Sequence, residues 1–179
     1  AELAPPDFFV GRGADLYKLA RMFRAGQEDP ALEQAGANVV TVVGTGGIGK
    51  TPLAGAFARR CGWRFPGGVA GATLATLPTL EPATFLRGLA GRLQIAPPET
   101  LAQMDADTLA GLVGETARQR QTLLLIDNYE SVLQGLEAPA SDDGAAAQLR
   151  TNAQTLHRAI ARWAAQGVLL LLTSRQHPA

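Results

Sequence analysis

One stretch of the chain combines glycines, a lysine and a threonine at a spacing that suits the binding of a polyphosphate. Residues 44–51 read Gly-Thr-Gly-Gly-Ile-Gly-Lys-Thr and fit the pattern G-x-x-x-x-G-K-[ST]. Glycines let the backbone curl so that successive N–H groups point inward at an anion, and a following helix adds the positive end of its dipole. We therefore predict a phosphate-binding loop with the contact residues Gly44, Thr45, Gly46, Gly47, Ile48, Gly49, Lys50, Thr51 and Pro52.

The residues on either side put this loop between a strand and a helix. The apolar run Val39–Val43 precedes it, and an apolar-periodic stretch begins at Pro52. In that context Lys50 would neutralise the β- and γ-phosphates of a nucleotide, and the Thr51 hydroxyl would bind Mg²⁺. The alternative is a glycine-rich hairpin or turn, which leaves the position of Gly-Lys-Thr between strand and helix unexplained.

A carboxylate stands at the end of a second apolar run. Residues 123–126 are apolar and are followed by Asp127, as in a Walker B motif. Because Mg²⁺ keeps several waters and takes few protein ligands, Thr51 directly and Asp127 through water are the predicted metal residues. The alternative is that Asp127 caps a helix that begins near Asn128.

Two further charged residues complete the predicted catalytic set, which is Lys50, Asp127, Glu130 and Arg175. Arg175 ends the last apolar run, where a guanidinium could contact the γ-phosphate and report its presence. Glu130 is the nearest carboxylate that could orient or deprotonate water, since the amide of Asn128 cannot accept a proton. The alternatives are an ordinary surface arginine and a solvated loop glutamate.

No other constellation competes for the chemistry. The two histidines lack metal-ligand spacing, and His157 is expected on a helix surface. Asp142-Asp143-Gly144 is more typical of a turn than of a metal site. The single cysteine, Cys61, is expected to be a small buried hydrophobe.

The elements that would position these groups alternate along the chain. Apolar runs predict strands at 39–43, 67–74, 123–127 and 168–175, and apolar residues at helical spacing predict the helices. The predicted helical faces are Leu16, Leu19 and Phe23; Leu53, Ala54, Phe57 and Ala58; Phe85, Leu86, Leu89, Ala90 and Leu93; Leu109, Leu112, Val113 and Ala117; and Leu149, Leu156, Ile160 and Trp163. This order predicts an α/β fold, a parallel sheet sandwiched by helices, with ligands beyond the carboxyl ends of the strands.

Composition limits the remaining classes of protein. A chain of 179 residues with 46% hydrophobic residues suits one folded domain. Sixteen basic and sixteen acidic residues cancel, so no general nucleic-acid or membrane surface is indicated. One cysteine fits a reducing compartment, and no signal peptide or membrane span is evident, so a cytoplasmic location is expected.

Four segments occur in an order that resembles the STAND class of signal-transduction P-loop ATPases, most closely its NB-ARC or AP-ATPase branch. They are Phe-Val-Gly-Arg at 9–12, the loop at 44–51, Leu-Leu-Ile-Asp-Asn-Tyr-Glu at 124–130 and Leu-Leu-Thr-Ser-Arg at 171–175. The resemblance implies ATP or ADP with Mg²⁺ as cofactors. It also implies a P-loop NTPase fold of the additional-strand type, in which the strand before Arg175 lies between the Lys50 and Asp127 strands.

The resemblance extends to the nucleotide base and to the domain layout. It implies that Val10, Gly11 and Arg12 lie against adenine and ribose, and that Arg175 acts as sensor 1. Residues 1–179 would be a single nucleotide-binding domain, with the Gly-Arg motif, a helix and a loop in 1–36 and the P-loop core in 37–179. The family's last strand and its helical and winged-helix sensor domains would be missing. Without that strand, 39–43 becomes an exposed edge, and we expect weak self-association or a displaced segment there.

Two residues depart from the family pattern. Pro52 stands where the family usually has a backbone N–H directed at the α-phosphate, and proline has no such donor. Gly13 stands where an acid commonly follows Gly-Arg, which alters the contacts expected near the adenine. We expect nucleotide binding to be weakened or shifted by Pro52.

These observations predict the ATP- or ADP-binding core of a STAND regulator, a nucleotide-dependent conformational and oligomerisation switch with slow or absent hydrolysis. In the full-length protein it would be a weak ATPase that self-associates. The alternatives are a non-hydrolysing protein-interaction module with a degenerate loop and a P-loop small-molecule kinase. A kinase would need an arginine-rich lid, and residues 136–144 contain no arginine. A GTPase is disfavoured because no Asn-Lys-x-Asp motif occurs.

Overall fold

The protein is described by a computed structural model over residues 11–23, 37–138 and 144–177. Within these ranges the strands are β1 Val39–Val43, β2 Val69–Thr73, β3 Leu123–Asp127 and β4 Leu170–Ser174. The α-helices are α1 Gly13–Met22, α2 Lys50–Cys61, α3 Pro82–Arg92, α4 Pro98–Ala102, α5 Ala106–Arg120, α6 Glu130–Glu137 and α7 Gly144–Ala165, with a 3₁₀ turn at Gly62–Arg64. The predicted α/β class is confirmed.

The described strands form one sheet that is parallel throughout, in the order β1-β4-β3-β2. β4 lies between β1 and β3, so the strand before Arg175 separates the strand before the glycine-rich loop from the strand that ends in Asp127. The strand ends are level, because Val43 pairs with Ser174 and Thr73 pairs with Asp127. The carboxyl ends of all described strands therefore meet at one edge of the sheet.

Both faces of the sheet are covered by helices, and the strand residues alternate between them. Leu123, Leu125 and Leu171 belong to the core shared with α1 and α2. Leu124, Ile126, Leu170 and Leu172 belong to the larger core shared with α3, α5 and α7. This alternation follows from the period of two along a strand, and it explains why β3 and β4 are apolar on both faces.

Three phenylalanines fix α1 against α2. Phe23 follows α1, Phe57 lies in α2, and Phe65 follows the 3₁₀ turn. Their ring centroids are 5.8–6.2 Å apart, within the range of favourable aromatic pairs. This cluster anchors one end of α1, and the other end lies beside the start of α2.

Several sequence-based boundaries were wrong for identifiable reasons. β1 was expected to be buried on both faces, but Val40 is its one buried residue, because β1 is an edge strand of the described sheet. α1 ends at Met22, since the Phe23 backbone is already extended. Leu112 was placed on the buried face of α5 and is 36% exposed.

Two helices were not predicted. α4 starts at Pro98, the second residue of the Pro97-Pro98 pair, because proline is well tolerated in a first helical turn. α6 occupies part of the predicted loop 136–144, and α7 begins at Gly144. Asp142 and Asp143 lie outside the described residues. No helix in the described ranges is long and apolar enough to cross a membrane.

Candidate functional site

The glycine-rich segment leaves the end of β1 and turns into α2, as predicted. Gly47 and Gly49 have φ values of 79° and 88°, a left-handed region that favours glycine. Gly49 is the N-cap of α2, and Leu53 closes the first helical turn by donating to its carbonyl. Two of the loop's glycines are thus required by the backbone conformation itself.

The loop directs cationic and N–H groups at one concave surface. Nζ of Lys50 donates to the carbonyls of Gly44 and Thr45, at 2.7 and 3.0 Å, so its side chain folds back over the loop. Among the described residues, the backbone N–H groups from 45 to 51 have no hydrogen-bond acceptor. Free N–H groups at the start of a helix are an anion-binding arrangement.

Pro52 is the third residue of α2, after Lys50 and Thr51. Its ring suits the first turn of a helix, where an N–H has no partner within the helix. The same position would otherwise contribute a donor to the concave surface. The helix start therefore offers N–H groups at its first two residues and none at its third.

Asp127 is the centre of a hydroxyl cluster at the strand ends. The hydroxyls of Thr51 and Thr173 donate to its Oδ1 at 2.7 and 2.6 Å, and the hydroxyl of Thr73 donates to Oδ2 at 3.1 Å. The carboxylate is buried, with 5% exposure. The alternative role as a helix N-cap is wrong, because α6 begins at Glu130 with Tyr129 as its N-cap and no side-chain cap.

Thr73 and Thr173 were not assigned to the site from the sequence. Thr73 is the last residue of β2 and Thr173 the last but one of β4, and Thr73 is level with Asp127 in the β2–β3 register. A hydroxyl residue at the end of a predicted strand next to the acid-bearing strand was the available signal. This signal identifies Thr73 and Thr173 only when the strand order is known, because the order determines which strands lie next to Asp127.

Asn128 links the acid-bearing strand to β4. Its backbone has a φ of 66°, which asparagine tolerates better than most residues. Its N–H donates to the hydroxyl of Thr173, and its Nδ2 donates to the hydroxyl of Ser131. The Asn128 side chain is thus used in local structure.

Glu130 and Arg175 form an ion pair at the same edge, with Nε of Arg175 3.0 Å from Oε1 of Glu130. Glu130 is 3% exposed, so its interpretation as a solvated loop residue is wrong. Arg175 is much more exposed, and its guanidinium carbon lies 3.6 Å from where a Cβ on Gly46 would stand. The predicted sensor and the predicted base therefore contact each other beside the loop.

The Gly-Arg motif lies at the opposite end of the loop. Nη2 of Arg12 donates to the carbonyl of Ile48 at 2.6 Å, and its Nε lies 3.8 Å from the Asp15 carboxylate. Gly11 has a φ of 90°, again in the left-handed region. Val10 lies outside the described residues.

The residue between Asn128 and Glu130 connects this edge to α7. The Tyr129 hydroxyl lies 2.7 Å from Nδ1 of His157, and burial raises the pKa of Tyr129 to about 12. His157 lies in α7, consistent with the expected helix position, and is partly exposed. Cys61 is also partly exposed, and burial raises the pKa of its thiol.

The site as a whole has buried acids and accessible cations. Asp127 and Glu130 are 5% and 3% exposed, whereas Arg175 and the glycine-rich loop face solvent. The described residues contain no group of three or more His, Cys, Asp or Glu side chains that could hold a metal ion by themselves. An anion is therefore the ligand that the accessible groups favour.

Comparison of the chain with protein-family models, with curated proteins and with solved structures gave no match.

Proposed function

We propose that this chain binds ATP or ADP with Mg²⁺ and acts as the nucleotide-binding core of a STAND-type switch. The observation that carries the proposal is the hydrogen bond of 2.7 Å between the Thr51 hydroxyl and the Asp127 carboxylate. These residues come from two motifs separated by 76 positions. Their contact, beside a loop with free N–H groups, is the arrangement that Walker A and Walker B motifs require.

The phosphates would lie in the concave side of the glycine-rich loop. Lys50 now contacts the carbonyls of Gly44 and Thr45, and it would exchange these neutral acceptors for phosphate oxygens. A charge-assisted hydrogen bond is about twice as strong as a neutral one, so the exchange is favourable. Arg12 and Arg175 lie at the two ends of the loop and add positive charge there.

The residues present also fit Mg²⁺. Thr51 and Asp127 would hold it, and both offer the hard oxygen ligands that this ion prefers. Since no cluster of three metal-binding side chains exists in the described residues, water and phosphate would have to supply the other ligands. When bound, Mg²⁺ would neutralise phosphate charge.

Two features favour a switch with slow or absent hydrolysis over a fast enzyme. Asn128 offers no carboxylate next to Asp127, and its side chain is hydrogen-bonded to Ser131. Glu130 is paired with Arg175 and is not free to take a proton from water. The position of β4 between β1 and β3 agrees with the additional-strand type and supports the STAND assignment.

The rival functions predict different binding behaviour. An interaction module with a degenerate loop would bind no nucleotide. A small-molecule kinase would bind nucleotide but would also need an acceptor substrate. In the described residues, the pocket lined by Arg87, Arg92 and Pro97 lies between α3 and α4 and does not include the glycine-rich loop.

The test is to denature the purified chain, identify any released nucleotide, and then measure Mg²⁺-dependent binding of ATP and ADP. We expect bound or titratable nucleotide, and loss of binding in Lys50→Ala. Lys18→Ala is the matched control, since Lys18 is an exposed residue of α1. Absence of binding in the unaltered chain, or equal loss in both variants, would refute the proposal.

A further inference from the structure

The inference concerns how Glu130 acts on Arg175, and it rests on the proposed function. The exposures of the paired side chains are very unequal, at 5% for Glu130 and 60% for Arg175. Glu130 is the first residue of α6, and its backbone is fixed next to β3. The buried partner has a fixed position, and the exposed arginine is the one that can be oriented by it.

The contact with Glu130 leaves the two terminal amino groups of Arg175 available. The closest approach is between Nε of Arg175 and Oε1 of Glu130. Among the described residues, Nη1 and Nη2 of Arg175 make no hydrogen bond, and they remain a pair of parallel donors. Such a pair suits two oxygens of a phosphate.

The direction of the guanidinium is set by the same contact. Its carbon lies 3.6 Å, and its Nη1 3.8 Å, from the position of a Cβ on Gly46. A side chain at residue 46 would stand in van der Waals contact with the guanidinium, whose Nε is also 3.8 Å from that position. Glycine at this position keeps that space open to a ligand seated in the loop.

A catalytic base would need a different environment. Glu130 is nearly excluded from solvent, and its Oε2 has no hydrogen-bond partner among the described residues. Its Oε1 is engaged by the Arg175 guanidinium, and its Oε2 is buried away from solvent. A buried carboxylate with one unpaired oxygen costs free energy of folding, but it can hold a cation in a defined place.

We propose that Glu130 is a positioning residue that holds Arg175 through Nε, so that the two terminal amino groups of Arg175 read the terminal phosphate of a nucleoside triphosphate. The pair then determines the selectivity for triphosphate over diphosphate. Glu130 is not the general base of the site. The lack of a free carboxylate next to Asp127 leaves the bound triphosphate to persist, as a switch requires.

The test is a double-mutant cycle on the full chain, with a non-hydrolysable ATP analogue and ADP, each with Mg²⁺, as the calorimetric probes. Arg175→Ala should weaken binding of the analogue by about tenfold or more, the scale of a hydrogen bond to a charged group, and leave ADP within about twofold. Glu130→Ala should weaken the analogue in the same direction. Glu130→Gln should restore part of the loss, because its carbonyl can still accept from the guanidinium.

The cycle also separates the roles of the two side chains. If Glu130 acts through Arg175, Glu130→Ala adds no further loss in an Arg175→Ala background. Glu115→Gln is the control, since Glu115 forms an exposed ion pair with Arg118 on α5 and should leave both affinities unchanged. Thermal unfolding of Glu130→Gln should occur at no lower temperature, because a neutral amide costs less to bury than a carboxylate with one unpaired oxygen.

Several results would overturn the inference. If Glu130→Ala binds the analogue as tightly as the unaltered chain does, Arg175 needs no anchor. Tighter binding would make Glu130 a competitor of the ligand. Equal loss of ADP, or additive losses in the cycle, would also contradict it. If the unaltered chain binds ADP and the analogue, such results refute only this inference; if it binds neither, the proposed function fails with it.

Discussion

The helix start after the glycine-rich loop lacks one backbone donor, and restoring that donor should tighten nucleotide binding. Pro52→Ala adds an N–H at the third residue of α2 without adding a functional side chain. A hydrogen bond to a charged group contributes about 1.5–3 kcal/mol, so the affinity for ADP should rise by about tenfold to 150-fold. Pro52→Thr should show at least this gain, since it adds a hydroxyl as well.

The same substitution should lower the stability of the nucleotide-free chain. Removing a proline whose ring suits its helical position gives the unfolded chain more freedom, at a cost of about 0.4–1 kcal/mol. Affinity and stability should therefore move in opposite directions in Pro52→Ala. Calorimetric titration with ADP and Mg²⁺ measures the first, and urea unfolding without nucleotide measures the second.

Pro98→Ala is the matched control for this prediction. Pro98 is an exposed residue at the first position of α4, outside the loop. It should show a similar loss of stability with no change in ADP affinity. The reasoning about the missing donor is refuted if Pro52→Ala binds ADP no more tightly than the unaltered chain, or if Pro98→Ala gains as much.

Two further predictions concern packing and ionisation away from the loop. A Cβ on Gly114 of α5 would collide with the Trp163 ring, whereas a Cβ on Gly111 of the same helix would meet open space. Gly114→Ala should therefore lower the free energy of unfolding by about 1–3 kcal/mol, and Gly111→Ala should raise it by about 0.4–1 kcal/mol. Equal effects of the two substitutions in urea unfolding would contradict this prediction. Because burial raises the Tyr129 pKa to about 12, its neutral form stabilises the fold fully below pH 10, and this contribution is lost as the pH rises toward 12. Tyr129→Phe should lack the phenolate absorbance change near pH 12 and the loss of stability that accompanies it. An alkaline titration that is unchanged in this variant would show that Tyr129 is not the buried group and that His157 is not its partner.

Much of the fold follows from local pattern. β1 and β3 begin and end where the apolar runs begin and end. For β3 the reason is its burial on both faces, which leaves few polar positions to blur its limits. α6 was missed because its eight residues span barely two turns and give the helical period little room to appear. The exposure of Leu112 could not be predicted, since it depends on which neighbours pack against α5.

The site was predictable in its parts but not in its connections. Lys50, Thr51 and Asp127 were identified from motifs, since phosphate and Mg²⁺ chemistry restricts the residue types. Thr73 was missed, because only the β2–β3 register brings its hydroxyl to Asp127. The pairing of Glu130 with Arg175 was also missed, because the expected position of β4 next to β3 does not determine the side-chain conformations that bring the two groups together.

The central position of β4 gives the switch hypothesis a physical basis. Thr173 lies near the end of β4 and Arg175 directly follows the strand, so the hydroxyl bonded to Asp127 and the guanidinium bonded to Glu130 are two residues apart. A ligand that moves Arg175 would also disturb the Thr173 contacts with Asp127 and with the backbone of Asn128. A change at the terminal phosphate would then also reach Asp127, one of the proposed metal residues. Such coupling needs no hydrolysis, and it agrees with a site that has accessible cations and no free base.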